Sequence, residues 1–492
     1  MWLKLANLLK FYHVAKTPMV MSKHRLANAG AILAALLLIF FLSRNGIFLS
    51  SVDTVHHFVV VDVLMRHHAV LPTDIAWLGE MAGYPPGSHY LAAIIAPIAG
   101  SGLVAMTWVV ALSIFLCYAM LFWLVQRDLG VAAAGAFALI LLCANPIRAF
   151  IGWEIVKNFF YPQLVAEVLA VAFLCATARW QIWRRAVPVV TPIFGAVLMF
   201  VQPLVAIQVM GFGLSFLAAE LVQKWFRERK FRWPSLLPIA ASSVACVAAI
   251  LTSESFWVMR RFADNNGTLN TGISHISFAI VPALIIAGIL LWQFATSRGS
   301  SADGAVGSAL ASAAAVMTMQ HITWIILNQG SPYAVKKHLF IVTTLTALGA
   351  ARLIGRRFNS SAKVATGPIE IAAASIITVW LVLPPLVSAE VVLAPLRYAQ
   401  FVAAGPGFED ATIAMADPSA PRLANVIVSI VGFHHPNSTP TYLAYADGGS
   451  GLSRRLMVRH MPEIDRSCPD QILPKPDYVV VNGDCLRHER FE

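Results

Sequence analysis

The chain has 492 residues, of which 58% are hydrophobic and only 12% charged, and its mean hydropathy is +0.70. These figures exclude a soluble domain, because apolar runs this long cross a ~30 Å hydrocarbon core at roughly 20 helical residues each. A formal charge of +11 would suggest nucleic acid in a soluble chain; here it reads as Lys and Arg anchoring cytoplasmic loops at the anionic inner leaflet, with no nucleic-acid partner.

Only helices or closed barrels satisfy their backbone in lipid, and these runs lack a barrel's alternation. The expected fold class is therefore an all-α polytopic membrane protein with about eleven transmembrane helices. Lys4, Lys10, Lys16, Lys23 and Arg25 precede a first run at Ala27–Leu42. The polar Ser43-Arg44-Asn45 that follows is no cleavage site, so this reads as a retained first span. A large external loop, 44–90, comes next. The following spans are expected at Leu103–Leu124, Val131–Ala144, Leu164–Ala178, Val187–Val201 and Leu204–Val222. Leu236–Leu251, Phe278–Phe294, Ala309–Leu327, Ala334–Leu353 and Ile369–Leu386 complete the set. Pro203 leaves two readings of its neighbourhood, a tight hairpin or one kinked helix, and the choice inverts everything downstream.

Charge sets the orientation. With the N-terminus inside, Arg127, Arg179, Arg184, Arg185, the basic run from Lys224 to Arg232, Arg298, Arg352, Arg356, Arg357 and Lys363 all fall in cytoplasmic segments. The membrane domain then occupies 1–387. Residues 388–492 have ordinary polarity and β-like runs at Asn425–Val431 and Tyr478–Val481, so they read as a small α/β extracytoplasmic domain. Of the six cysteines, Cys117, Cys143, Cys175 and Cys246 sit in apolar spans, whereas Cys468 and Cys485 lie in this outer domain and are candidates for a disulfide.

The sequence contains neither a Walker-type phosphate loop nor a dinucleotide glycine fingerprint, so energy or activated substrate comes from a gradient or a lipid-linked donor. Chemistry-bearing residues gather in the first loop. Asp53, His56 and His57 share one side of a helix expected over Val52–His68, which is read as lying on the membrane with Val52, Val55, Val59 and Val63 as its apolar stripe. Asp53 falls in the first turn, where the helix dipole favours a carboxylate. It is either a plain helix-start residue or a general base tuned by imidazoles. Tyr84-Pro85-Pro86-Gly87-Ser88-His89 closes the loop, with Gly87 allowing close backbone approach. Arg260, Arg261, Lys336 and Lys337 are external cations that either snorkel or meet an anionic lipid phosphate. Lys157, Tyr161 and Gln163 are placed along the same cavity, and Glu167 reads as a lone intramembrane carboxylate.

Taken together, these motifs resemble the GT-C superfamily of membrane glycosyltransferases, which transfer sugars from polyprenyl-phosphate donors on the non-cytoplasmic face. The stretch Ser51–His57, an amphipathic helix and Tyr84–His89 resemble the first loop of many bacterial members, and Lys336 after Tyr333 resembles a basic residue of a late external loop. One departure is that Asp53 stands alone, with Asp62 nearly three turns away, where several branches carry an adjacent acidic pair. The resemblance implies Asp53 as base, Lys336, Lys337, Arg260 and Arg261 on the donor phosphate, and His56, His57, Tyr84, His89, Lys157, Tyr161, Gln163 and Tyr333 along the cavity. The implied partners are the polyprenyl-phosphate sugar donor, a glycan, lipid or protein acceptor, and membrane lipids. No cofactor is certain, and a divalent cation is left open. The competing classes are a polysaccharide polymerase or ligase and a lipid-linked oligosaccharide transporter.

Overall fold

The computed structural model describes most of residues 57–357 and the backbone of four strands between residues 423 and 480. The expected first and last spans, at 27–42 and 369–386, fall outside the described residues. Eight helical stretches among those described are long and apolar enough to cross a membrane, so the protein is a polytopic membrane protein.

The helices are α1 (Gly87–Ala99), α2 (Gly102–Cys143), α3 (Trp153–Asn158), α4 (Tyr161–Arg179), α5 (Gln181–Met199) and α6 (Pro203–Glu228). They continue with α7 (Leu237–Thr252), α8 (Glu254–Arg261), α9 (Ser277–Ala295), α10 (Ser301–Leu327), α11 (Pro332–Lys336) and α12 (Leu339–Arg357). Prolines in the first turns of α4, α6, α7 and α11 start these helices where a missing N–H costs nothing.

Two turns decide the topology. Within α2 the chain reverses at Gly130, which holds φ 78, a conformation that favours glycine. The rings of Phe122 and Phe137 lie 5.0 Å apart, whereas a straight helix would set them about 22 Å apart. The expected spans 103–124 and 131–144 are therefore the two legs of one helical hairpin. Around Pro203 the hairpin reading holds as well. Helices α5 and α6 pack antiparallel, with Gly195 against Met210 and Gly213 against Thr191.

The second leg of α2 ends early, and the described chain from 147 to 152 is irregular yet buried at Ala149, Phe150 and Ile151. Its backbone is satisfied from elsewhere in the bundle. Thr343 donates to the Ala149 carbonyl, Thr344 Oγ1 accepts from the Ile151 N–H at 3.0 Å, and Tyr118 donates to the Ile151 carbonyl at 2.7 Å. Irregular backbone at membrane depth is tolerated only where protein groups supply such partners.

The bundle has two unlike ends. At one end, Arg179 and Arg352 both pair with Asp128, and Arg352 and Arg356 both pair with Asp303. Asp303 also closes the capping box of α10 with Ser300. Arg352, counted with the cytoplasmic segments at the end of the expected Ala334–Leu353 span, is fully buried inside α12, because two carboxylates from other helices meet it there. At the other end lie the 79–90 turn, residues 147–163, α8, and residues 328–338.

Beyond the bundle, β1 (Leu423–Ser429), β2 (Thr441–Asp447), β3 (Met457–Met461) and β4 (Tyr478–Val480) form one sheet in the order β3-β2-β1-β4. The β1–β2 and β2–β3 pairs are antiparallel, and β1 pairs with β4 in parallel.

Candidate active site

The described part of the first loop does not lie on the membrane surface. His57, Val60, Val61, Val63 and Leu64 are all less than 5% exposed, so this helical stretch is buried on more than one side. Val63 belongs to the expected apolar stripe; Val60 and Val61, off that stripe, are packed just as deeply, and exposure among the described residues begins at His67. The expectation of an interfacial helix is corrected: the segment packs into the head of the bundle.

There His57 Nδ1 and His89 Nε2 meet at 3.0 Å. Tyr84, Phe159 and Tyr161 surround the pair, with ring centroids 5.4, 6.3 and 6.2 Å from that of His57. His89 is held there by the start of α1. The Gly87 N–H bonds the Phe200 carbonyl at 2.9 Å, and a Cβ at Gly87 would stand 2.7 Å from that oxygen. Tyr161 OH donates to the Ser88 carbonyl at 2.6 Å, tying α4 to the same turn. Burial lowers the His89 pKa to about 3, with the Pro85 carbonyl pulling weakly the other way, so its imidazole is neutral and acts through hydrogen bonds rather than charge.

A second cluster adjoins the first along α4. Gln163 Nε2 donates to Glu167 Oε1 at 2.9 Å and to the Lys337 carbonyl at 2.7 Å. The Lys337 ammonium sits over the rings of Phe160 and Tyr333, 4.5 and 4.6 Å from their centroids. Ser331 caps α11, its side chain accepting from the Ala334 N–H at 3.2 Å, and this short helix presents both lysines. Lys336 Nζ donates to the Leu269 carbonyl at 3.3 Å.

Arg260 and Arg261 stand apart, exposed on α8, with Arg260 over the Trp257 ring at 5.6 Å. Apolar contacts link their helix and the residue after it to the histidine cluster: Val258 against Gly83, and Phe262 with its ring 6.4 Å from Tyr84. Asp53, His56, Cys468 and Cys485 lie outside the described residues, as does the Lys157 side chain. Among the described residues no three of His, Cys, Asp and Glu converge as a metal-binding group.

Glu167 is not alone. Glu154, on α3, is buried beside it, and the two carboxyls lie within hydrogen-bonding reach of each other. Sequence reasoning missed Glu154 because α3, at six residues, is too short for a periodicity to mark its inward face. His338 is fully buried, with Nδ1 2.7 Å from Gln208 Nε2 and Nε2 2.6 Å from Gln320 Oε1. That pairing assigns the proton to Nε2. A groove of about 510 Å³ opens elsewhere, between α9 and α12 at the arginine-rich end; apolar residues such as Ile285 and Trp292 line it beside Arg298 and Arg356, and it takes no part in this site.

No protein-family model matches the chain. No curated protein matches it. Among solved structures it is similar to the crystal structure of ArnT from Cupriavidus metallidurans bound to undecaprenyl phosphate, with a TM-score of 0.40, 15% sequence identity and 82% of each chain covered.

Proposed function

We propose that this protein is a membrane glycosyltransferase that moves a sugar from a polyprenyl-phosphate donor to a glycan, lipid or protein acceptor, with inversion, on the extracytoplasmic face. The observation that carries the reading is the burial of the first loop in the bundle head. His57, a few residues beyond Asp53, lies against His89, Tyr84 and Tyr161, while Lys336 and Lys337 are presented by α11 at the same end. The arginine-rich end is then cytoplasmic, by the positive-inside bias.

In this reading the Asp53 carboxylate takes the proton of the acceptor hydroxyl. The hydroxyl oxygen forms a bond to the anomeric carbon as the bond from that carbon to the phosphate oxygen breaks. The electron pair leaves on the polyprenyl phosphate, which gains negative charge, and Lys336 and Lys337 are placed to offset it. A single displacement inverts the centre. Arg260 and Arg261, exposed on α8, guide the anionic head inward rather than bind it at the reacting atoms. Residues 388–492 form an outer domain that binds the acceptor or caps the cleft, with Cys468 and Cys485 joined in it.

A transporter would recruit polar groups at mid-depth for a path. Here Gln208 and Gln320 hold His338 between them and Gln163 holds Glu167, so these groups are bonded to one another. The test is transfer from a polyprenyl-phosphate sugar by purified protein. Asp53→Asn keeps shape and hydrogen bonding but cannot accept the proton, so transfer should fall ~10²–10⁴-fold with donor affinity retained. Turnover equal to wild type would remove Asp53 from the mechanism.

A further inference from the structure

Glu154 and Glu167 are 1% and 0% exposed, and each has one oxygen committed and one not. Glu154 Oε2 accepts from the Gly152 N–H at 2.6 Å, and Glu167 Oε1 accepts from Gln163 Nε2 at 2.9 Å. Glu154 Oε1 and Glu167 Oε2 are fully buried and meet no donor among the described residues. Two ionised carboxylates side by side in a medium of low dielectric repel strongly, and each orphaned oxygen adds its own desolvation cost. Nothing described offsets this with charge. The other titratable groups acting on the pair are the Cys117 thiol and the Tyr118 hydroxyl from the first leg of α2, which are neutral when protonated. The neighbouring Lys337 ammonium is turned onto the Phe160 and Tyr333 rings. Lys157 lies on the same helix as Glu154, with its side chain outside the description, and the test below includes it.

We propose that Glu154 and Glu167 form a proton-binding site in which one proton is shared between the two carboxyls, so that a buried pair carries a single negative charge. Protonating either group turns an acceptor into a donor and satisfies both orphaned oxygens at once. Burial supports this independently by raising the Glu154 pKa to about 7. The site has a mechanical outlet, because the Gln163 amide that holds Glu167 also holds the Lys337 carbonyl at the end of α11. Loss of the proton adds a second charge beside that amide and shifts the helix that presents the two lysines. This last step rests on the donor site proposed above; the proton site itself does not.

Infrared spectra of the purified full chain in D2O near pH 7 test the proton directly. The spectrum of wild type minus that of the double variant Glu154→Gln/Glu167→Gln should contain the carbonyl stretch of a protonated carboxylic acid. In parallel, the wild-type thermal midpoint should fall as pH rises from the ordinary carboxylate value of 4.5 toward about 7, since the native state holds a proton the unfolded chain has released. The double variant should lose that slope, and Lys157→Met should keep both signals. An acid band absent from wild type overturns the proposal, as does a midpoint that follows sodium or potassium concentration only while the carboxyls are present. So does a Lys157→Met variant that gains an acid band wild type lacks, because the lysine would then be the counter-charge. If these arms succeed and the donor KM shows no pH dependence that Glu154→Gln removes, the proton site stands and its link to the lysines falls.

Discussion

The two ends of the helix bundle handle buried polarity in opposite ways. At the arginine-rich end the buried carboxylates Asp128 and Asp303 are each held by two arginines. At the other end the buried polar groups are neutral or only half satisfied. The imidazole of His89 is uncharged, one oxygen of each of Glu154 and Glu167 meets no donor among the described residues, and Lys337 sits over two aromatic rings. The first arrangement fixes four helices against each other through paired charge. The second keeps hydrogen-bonding capacity and charge in reserve, which costs stability and is worth that cost only where something binds. Structure is concentrated at one end and chemistry at the other.

The sharpest way to break this contrast is at Arg352. Arg352→Met leaves two carboxylates without their shared buried partner, and stability should fall by ~3–5 kcal/mol, as for other broken buried pairs. Denaturant or thermal unfolding in detergent measures it, and a loss no larger than that of a site-end variant would erase the distinction. Next in size is Gly87→Ala. Its new Cβ would press on the Phe200 carbonyl oxygen 2.7 Å away. Overpacking of this kind costs ~1–3 kcal/mol, and here it should also displace His89 and depress transfer. The smallest effect on stability belongs to Lys337→Met. Losing the contacts to Phe160 and Tyr333 should cost about 0.5–1 kcal/mol, while donor KM rises by a factor that stability does not explain. A Lys337→Met protein with an unchanged donor KM would take that lysine out of the site.

Much of the bundle was legible because lipid imposes one rule on every span. From α2 to α12, each apolar run of sufficient length became a helix close to where hydropathy placed it, and the chain breaks at Gly130 and Pro203 fell between runs. The candidate site was legible in part. His57, Tyr84, His89 and Tyr161 were read as one cavity and do come together, because all four sit at span ends or in the loop between them. What the sequence hid was depth. The surface stripe inferred for the first loop was Val52, Val55, Val59 and Val63; of these Val63 is described, and Val60 and Val61 beside it are equally buried, because the segment has protein on more than one side. Helical periodicity reports a single apolar face and cannot register a second. Glu154 was hidden for a related reason: α3 is too short for any period, and the partner that gives Glu154 meaning lies one helix further on.

The early end of the second leg of α2 bears on how this chain is made. From Val131 to Cys143 a helix rises only about 20 Å, short of the ~30 Å core, so this leg cannot enter a bilayer as an independent segment and must leave the insertion machinery together with its partner. The irregular backbone that follows gains its hydrogen bonds from Thr343 and Thr344, and the Ile151–Thr344 pair spans 193 residues of sequence. At ordinary rates of synthesis those threonines emerge roughly 10–40 s later. For that interval the Ala149 carbonyl and the Ile151 N–H, just before α3, lack the partners that Thr343 and Thr344 later supply. The candidate site is thus among the last parts of the membrane domain to be completed, and a ribosome that stalls before α12 leaves a product that quality-control proteases can recognise by its unpaired backbone.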